Sequence, residues 1–586
     1  QTWQFGTGLY HQQYSYTGQN SDGKQVDGTI SAITTTIPGQ SVITSTYGYN
    51  DLRQLTSKGV TVPDQNGTQT KVYDRAYTYD RIAVDSGNWM GTRLASTGYT
   101  FGSSSRSFTY TYDDSGNITK IVTDGTSVPK AAEWKEYTYD AQGQLVSEKN
   151  SSKTTFLYAY DTAGNIRSIT KGGTVTKSFG YTNPSWPDLL TSVTANGTTE
   201  DILYEGQTRT SDVPSSGNPI TYYNGKEYSF TWTKGRQLAK AVVAGKTVEY
   251  TYDMSGVRTS KTVNGTTYNY TTLSGKVMRQ QWGNKSLEFV YDDGNQPFAM
   301  IYKHGSTAEL YYYLVNAQGD VAAILDSSGT MVASYNYGAW GSCTVYNSSD
   351  AAIGDLNPLR YRGYYYDAET GFYYLQSRYY DPAICRFINA DGLFTDGFVG
   401  SNLFTYCVND PVNTVDPTGN FAITATVALI TFGIALVATA FAVGISSSPG
   451  FQEAVEGLCE SVGDIAEQIK EKLTNSFAKI KKPPNYRSNK EVHHIVAQRA
   501  PGAAHAQKIL AELEIGINDP VNTVSINTCL HRRLHTKLYY ELVNIVIVGA
   551  YNSAGGDREQ QIENVTSALK AIRSFIFVLD RTTPKF

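Results

Sequence analysis

The stretch FTYTYDDSGNITKIV, residues 108–122, contains the pattern that decides the fold of this chain. Its alternating aromatic residues are typical of one face of a β-strand. Asp113-x-x-Gly116 follows and indicates a turn, in which glycine supplies a positive φ and aspartate accepts hydrogen bonds from nearby amides. The stretch therefore predicts a β-hairpin.

The same unit recurs through residues 1 to about 380, at a spacing of about 20 to 30 residues. It consists of an aromatic residue, any residue, Tyr-Asp, two further residues, Gly, a polar residue and an apolar residue. Because a lone hairpin cannot bury its aromatic face, the units must stack side by side into a long sheet. Clear copies begin at Tyr110, Tyr137, Tyr158 and Tyr250, and degenerate copies lie at 77–80, 230–238 and 289–294.

The composition also favours strands and turns, with 45 Tyr and 53 Gly among 586 residues, and this length requires two or more domains. A net charge of −4 gives no overall attraction to nucleic acid or acidic membranes, so any polyanion binding must be local. The residues after Gln1 do not show the basic region and apolar stretch of a signal peptide, and we expect the sequence to be the C-terminal part of a longer protein. Neither a disulfide framework nor a zinc knuckle is expected from the scattered cysteines Cys343, Cys385, Cys407, Cys459 and Cys529.

The repeats resemble the YD-repeat, or Rhs, family, over roughly two thirds of the chain. The resemblance implies a mainly β fold, in which residues 1–356 form a β-cocoon shell. It also implies that each repeat tyrosine has a structural role.

Residues 357–420 contain NPLRYRGYYYDAETGFYYLQSRYYDPAICRFINADG and SNLFTYCVNDPVNTVDPTGN, and they resemble the Rhs-associated core. The resemblance implies an aspartyl autoprotease that cuts just past Asp-Pro-x-Gly, near Asn420. Its carboxylates would be Asp391 and Asp416, which could share a proton and act as acid and base. The sequence departs from the family where Asp391 lacks a following Pro and where Asn420 replaces Leu. The alternative is that both aspartates only cap turns.

Residues 421–446 carry no charge over a length that could span a membrane as a helix. The alternative is an apolar plug kept dry inside the shell, and β-branched residues and glycine weaken the helix prediction. Residues 451–482 have helical spacing, and Pro483-Pro484 end that helix. We therefore interpret 421–484 as an apolar segment and linker before a final domain at 485–586.

Histidines cluster in this final domain, which holds five of the seven in the chain. The pattern predicts a strand at 491–496, a helix at 503–513, a turn at 518–520, a second strand at 524–526 and a helix at 530–548. The order is a ββα unit, in which His531 and His535 share one helix face. The clustered histidines are His493, His494, His505, His531 and His535.

The ββα pattern resembles the HNH, or ββα-metal, nucleases, and within them the AHH subgroup of polymorphic toxins. The matching motifs are His493-His494, Asn518-Asp-Pro-x-Asn522 and His531-x-x-x-His535, with Val492 in place of the subgroup's alanine.

The resemblance implies that His493, His531 and His535 hold one divalent cation. Imidazole favours Zn²⁺ or Ni²⁺, and open positions tolerate Mg²⁺. His494 would be the general base, and Asn522 would orient His494 or brace the loop. A solvated role is expected for His505.

The sequence thus predicts a metal-dependent endonuclease toxin, secreted or at the cell surface and delivered into target cells. The expected partners are a nucleic acid, with DNA favoured over RNA, a cognate immunity protein, and a membrane if 421–446 contacts one. A zinc protease is disfavoured because Arg532 stands where H-E-x-x-H needs glutamate, and a zinc deaminase lacks its H-x-E and P-C-x-x-C motifs. Two rival classes remain: a structural or adhesive repeat protein, and a pore-former acting through 421–446.

Overall fold

The computed structural model describes most residues up to 424 and selected residues beyond. Up to 424, the gaps are residues 1, 6–9, 20–24, 51–53, 65, 85–86, 127–132, 255, 274, 349–351, 392–401 and 420–422. Beyond 424, it describes 490–496, 504–516, 518–519, 522–527, 547, 558–559, 561–562, 565–566 and 569. The chain divides into two compact units: one of residues 2–15 and 31–425, the other of residues 1, 16–30 and 426–586.

Two large antiparallel sheets, together called the repeat region, contain strands that neighbour one another in chain order. The predicted mainly β fold is confirmed. The 16-stranded sheet contains β1 (Thr2–Phe5), β2 (Tyr10–Gln19), β3 (Gln25–Thr36), β4 (Ile43–Tyr49), β5 (Leu55–Pro63), β6 (Gln69–Val84), β7 (Gly87–Phe101), β8 (Ser104–Tyr112), β9 (Ile118–Asp124), β10 (Glu133–Tyr139), β11 (Leu145–Asn150), β12 (Thr155–Tyr160), β13 (Ile166–Lys171), β14 (Thr174–Gly180), β15 (Ser192–Ala195) and β16 (Thr198–Asp201). The 13-stranded sheet contains β17 (Thr221–Tyr223), β18 (Glu227–Thr233), β19 (Gln237–Val243), β20 (Lys246–Tyr252), β21 (Arg258–Val263), β22 (Thr266–Leu273), β23 (Lys276–Trp282), β24 (Lys285–Tyr291), β25 (Pro297–His304), β26 (Thr307–Val315), β27 (Val321–Asp326), β28 (Met331–Tyr337) and β29 (Cys343–Asn347).

Short elements follow in the core segment, which we define as residues 357–419, and in the C-terminal domain. Just before the core segment lies helix α1 (Ile353–Leu356). The core segment contains 3-10 helices at Tyr361–Gly363 and Cys407–Asn409, a sheet of β30 (Tyr365–Asp367), β31 (Phe372–Tyr374), β32 (Tyr379–Asp381) and β33 (Arg386–Phe387), and β34 (Thr414–Val415), which pairs with β35 (Ile423–Thr424). The C-terminal domain contains β36 (Lys490–His494), α2 (Ala504–Glu512) and β37 (Thr523–Asn527).

The turns of the repeats have the predicted chemistry. Asp113 Oδ1 accepts a hydrogen bond from Asn117 N at 2.8 Å, while Gly116 N donates to Asp113 O at 3.0 Å. Gly116 adopts a φ of 87°, a conformation that costs other residues a steric penalty. The predicted hairpin is confirmed here, and the same turn recurs at Asp140, Asp161 and Asp253.

The two tyrosines of each unit have different roles. The first, such as Tyr110 or Tyr158, is buried in the aromatic core. The second lies at a β-bulge, and its hydroxyl donates to a backbone carbonyl of the preceding unit, as from Tyr160 to Leu145 O at 2.7 Å. Each unit is thereby bonded to the one before it. Equivalent bonds join Tyr79 to Leu55, Tyr112 to Leu94, Tyr139 to Ile118, Tyr181 to Ile166, Tyr252 to Leu238, Tyr291 to Val277 and Tyr337 to Val321.

Asparagines of the core segment contact successive turns of the 16-stranded sheet. Asn413 Oδ1 accepts from Ile118 N at 2.7 Å, and Asn409 Nδ2 donates to Gln144 Oε1 at 2.8 Å. Because these contacts fall at the same turn of successive repeats, the core segment is held in register along the sheet. A third bond joins Asn402 Nδ2 to Asn165 Oδ1 at 2.7 Å.

Buried charges tie the core segment to the 13-stranded sheet. Asp367 is fully buried, and its carboxylate contacts Arg258 Nη1 at 2.5 Å and Lys261 Nζ at 3.1 Å. The two cations satisfy the carboxylate, and their pull holds the pKa of Asp367 below its usual value although burial alone would raise it.

Much of the predicted linker lies outside the described residues, including the helix at 451–482 and all of 421–446 except β35. Ile423 and Thr424, the two described residues of the apolar segment, are in a strand. Among the described residues, no helix is both long and apolar enough to cross a membrane. The cysteines Cys343, Cys385 and Cys407 are free thiols.

Candidate functional site

The two aspartates predicted for self-cleavage come together around an arginine. Arg378 Nη2 lies 3.0 Å from Asp391 Oδ2 and 3.4 Å from Asp416 Oδ2. The three side chains are 3%, 9% and 2% exposed, respectively. Because the guanidinium offsets the repulsion between the carboxylates, a shared proton is not needed to hold them close.

The end of the Asp-Pro-x-Gly motif folds back onto this cluster. Gly419 N donates to Asp416 Oδ1 at 2.8 Å, and Arg378 Nε donates to the Gly419 carbonyl oxygen. Gly419 has a φ of 75°, and a Cβ atom there would lie 2.8 Å from Leu375 O, so only glycine fits. The carbonyl bonded to Arg378 belongs to the peptide bond between residues 419 and 420, where cleavage is predicted.

Arg378 remains a cation despite its burial. Burial lowers its pKa to about 10, although the facing carboxylates of Asp391 and Asp416 raise it. A charged donor on a peptide carbonyl can stabilise the oxyanion of a tetrahedral intermediate. Sequence analysis missed Arg378, although its position in the SRYYDP motif of the core was a usable signal.

In the C-terminal domain, the predicted strands at 491–496 and 524–526 are observed as the antiparallel pair β36 and β37. His493 pairs with Val524 and His494 with Thr523, and β36 ends at His494. The predicted helix is observed as α2, which contains His505. It ends at Glu512, slightly earlier than predicted, because Glu514 rather than Gly516 takes the left-handed conformation that closes it.

Asn518 contacts the predicted general base. His494 Nε2 lies 2.8 Å from Asn518 Oδ1. Asn522 is fully buried, and its side chain braces the end of β36 by accepting from Val496 N at 2.8 Å and donating to Val496 O at 3.3 Å. Of the two roles predicted for Asn522, the geometry therefore favours bracing the loop. The motif that contains both asparagines was recognised in the sequence, but Asn518 was given no role.

The predicted metal ligands are only partly described. The backbone of His493 lies in β36, whereas His531 and His535 fall outside the described residues. Across the part of the chain that the structure describes, no three His, Cys, Asp or Glu side chains are grouped as a metal site. Three imidazoles are nevertheless a donor set that suits a divalent transition metal.

Two protein families match separate parts of the chain. Residues 10–182 and 88–412 match the teneurin YD-shell family, so the match covers more than half of the chain. Residues 474–576 match AHH, a nuclease family of the HNH/ENDO VII superfamily with conserved AHH. The predicted resemblances of the repeats and of the histidine cluster are both confirmed.

Individual relatives share only parts of the chain. The tRNA3(Ser)-specific nuclease WapA of Bacillus spizizenii is 36% identical over 210 residues, which cover 33% of this chain and 8% of WapA. The double-stranded DNA deaminase toxin A of Burkholderia cenocepacia is 35% identical over 112 residues, covering 19% of this chain and 8% of that toxin. The matched segments thus span less than a tenth of the length of either relative.

A solved structure shares the fold of the repeats. The Photorhabdus luminescens Tc holotoxin pore superposes with a TM-score of 0.51 at 19% identity, over 71% of this chain and 21% of that chain. The fold, the turns and the family match agree, and the chain belongs to the teneurin YD-shell family, with an AHH-type nuclease domain at its C-terminal end.

Proposed function

We propose that the chain is the C-terminal part of an Rhs-type toxin, whose repeat region carries a metal-dependent endonuclease into target cells. The observation that carries the proposal is the placement of His494 at the end of β36, 2.8 Å from Asn518, inside the segment that matches the AHH nucleases. A cognate immunity protein that blocks this site is the expected partner in the producing cell.

His494 is proposed as the general base. With Asn518 Oδ1 as acceptor, Nε2 holds the ring proton, so the basic lone pair is on Nδ1. Nδ1 would take the proton from a water molecule as that water attacks a phosphodiester. Asn518 would fix this tautomer, and Asn522 would hold the end of β36 in place through Val496.

His493, His531 and His535 are proposed as ligands of one divalent cation, for which Zn²⁺, Ni²⁺ and Mg²⁺ are the candidates. The cation would stabilise charge on the phosphate and on the leaving oxygen. The residues of this chain would supply the base and the positioning of its ring.

The relatives bear on the substrate only by name. One is named a tRNA nuclease and another a double-stranded DNA deaminase, so proteins that share part of this chain carry different chemistries. The substrate is therefore proposed as a nucleic acid, with DNA favoured on sequence grounds, and tRNA is the alternative to be tested.

The experiment is cleavage of plasmid DNA and of bulk tRNA by the full chain, with Mg²⁺, Zn²⁺ or Ni²⁺ or with a chelator. We expect cleavage that needs a divalent cation and falls by about 10²–10⁴-fold in His494→Ala. His505→Ala is the matched control, a histidine of the same domain without a proposed role. Undiminished cleavage by His494→Ala would refute the assignment of the base, and absence of cleavage under every metal would refute the nuclease.

Self-cleavage near Asn420 is a second proposed activity, supported by the contact of Arg378 with the Gly419 carbonyl. Asp391 and Asp416 would handle the protons of the attacking water and of the leaving amine. Arg378 would stabilise negative charge on the carbonyl oxygen.

Intact mass of the purified chain tests this second activity. We expect two fragments that meet near residue 420 in the wild type, and a single intact chain in Asp416→Asn and in Asp391→Asn. Asp326→Asn, which alters a carboxylate that caps an exposed turn, should still be cut. A wild-type chain that stays whole after prolonged incubation would leave the two aspartates as turn caps.

A further inference from the structure

Arg106 is a buried arginine whose guanidinium lies 5.9 Å from the centre of the Phe108 ring. It lies on β8 and is only 6% exposed. Within the described part of the chain it makes no hydrogen bond or ion pair, and its Nε and Nη1 atoms are among the unsatisfied buried atoms. Arg75, on β6 of the same sheet, donates from Nε to Thr97 Oγ1 at 2.9 Å. An unpaired buried guanidinium is costly, so Arg106 calls for an explanation.

The Arg106 side chain lines a cavity of about 70 Å³ in the compact unit that contains residues 31–425. A water molecule needs about 10–15 Å³ of such space, so the cavity can hold several waters or one small ion. Lys135 and Gln318 also line it. Lys135 Nζ donates to Asn336 Oδ1 at 2.8 Å and to the Tyr337 carbonyl, and among the described residues it forms no ion pair with a carboxylate.

Two carboxylates at the cavity wall have other partners. Glu133 Oε2 accepts from Asn336 Nδ2 at 3.1 Å, and Asp320 pairs with Arg362 at 3.3 Å. Neither forms an ion pair with Arg106. Burial lowers the pKa of Arg106, and Glu133 and Tyr337 oppose this shift in part.

We propose that Arg106 and Lys135 form a binding site for a small oxyanion of the phosphate or carboxylate type. Water can satisfy the hydrogen bonds of a guanidinium, but only an anion offsets its charge. The cavity has the size for one tetrahedral or planar oxyanion, and its two cations lack carboxylate partners. The site is distinct from both the Arg378 cluster and the C-terminal domain.

Equilibrium dialysis of the full chain against radiolabelled inorganic phosphate tests the site. We expect about one phosphate bound per chain, with affinity reduced tenfold or more in Arg106→Met. Arg106→Lys keeps a cation and should retain intermediate affinity. Arg167→Met removes a half-exposed arginine of the same sheet and should leave binding unchanged. Competition by acetate would show that carboxylates also enter.

Glu133→Gln separates this proposal from its main rival, a direct pairing of Glu133 with Arg106 in solution. Under the proposal, removing this negative charge tightens phosphate binding. If the wild type binds no phosphate and Glu133→Gln lowers the melting temperature instead, the pairing is correct and the anion site is wrong. Phosphate binding that persists unchanged in a folded Arg106→Met chain, as judged by circular dichroism, would equally overturn the proposal.

Discussion

The repeat region and the core segment are stabilised by different kinds of contact. In the repeat region, one modest bond, from a tyrosine hydroxyl to a carbonyl of the preceding unit, recurs along both sheets. The core segment instead relies on buried ion contacts that occur once, such as Asp367 with Arg258 and Lys261. Loss of one tyrosine hydrogen bond leaves the equivalent bonds intact. Loss of one member of a buried ion pair leaves the other charge buried without that partner.

The largest effect is expected from breaking the Asp367 cluster. Asp367→Ala leaves the buried Arg258 without its carboxylate and Lys261 with only Glu369, and should lower the free energy of unfolding by about 3–5 kcal/mol. The midpoint of guanidinium-induced unfolding measures the loss. Glu249→Ala removes an exposed ion pair with Lys240 and should cost at most about 1 kcal/mol. Similar losses in the two variants would contradict the contrast between the regions.

An intermediate effect is expected from acid titration of the core segment. Burial raises the pKa of Asp410 to about 6; its contacts with Asn413 and the charge of Arg362 oppose the shift, and Asp113 adds to it. An unfolded aspartate titrates near about 3.9. The stability contributed by protonated Asp410 is therefore fully present below about pH 4 and is lost as the pH rises through about 6.

Asp410→Asn tests this pH dependence. The wild type should become more stable toward low pH by about 1–2 kcal/mol, a value that discounts the pKa shift for partial exposure. The variant should lack this gain, because asparagine does not titrate. Melting temperatures of both proteins between pH 4 and 7 provide the comparison. Parallel curves for variant and wild type would show that Asp410 does not titrate in this window.

The smallest effect is expected within the repeats. Tyr160→Phe removes the bond to Leu145 O and should cost about 0.5–1.5 kcal/mol, because one hydrogen bond is lost and the ring stays packed. Tyr346→Phe, which alters a tyrosine that is 49% exposed, serves as the control with no expected change. A loss in Tyr160→Phe as large as that in Asp367→Ala would mean that the repeats are not interchangeable.

Local chemistry made the repeats predictable from sequence. Asp113 and Gly116 determine a turn within five residues, and alternating aromatic residues determine which face is buried. Strand β36, which contains the predicted catalytic His494, and its partner β37 were also recognisable, since both segments contain β-branched residues.

Contacts between distant segments were not predictable. The hydrogen bond from Tyr160 to Leu145 depends on the register between two repeat units and on a β-bulge, and no residue type in the sequence predicts that bulge. Arg378 contacts Asp391 and Asp416 across separate segments, so its motif could flag the residue but not these contacts. Asn518 was visible in a motif, but its contact with His494 depends on side-chain geometry.

The tyrosine bonds between units also give the assembly a direction. In each of them, the acceptor carbonyl belongs to an earlier part of the chain than the donor hydroxyl. When the chain folds from its amino-terminal end, each new hairpin can therefore form its tyrosine hydrogen bond at once, because the acceptor carbonyl belongs to a unit that has already folded. The repeat region is therefore suited to folding hairpin by hairpin from its amino-terminal side during synthesis.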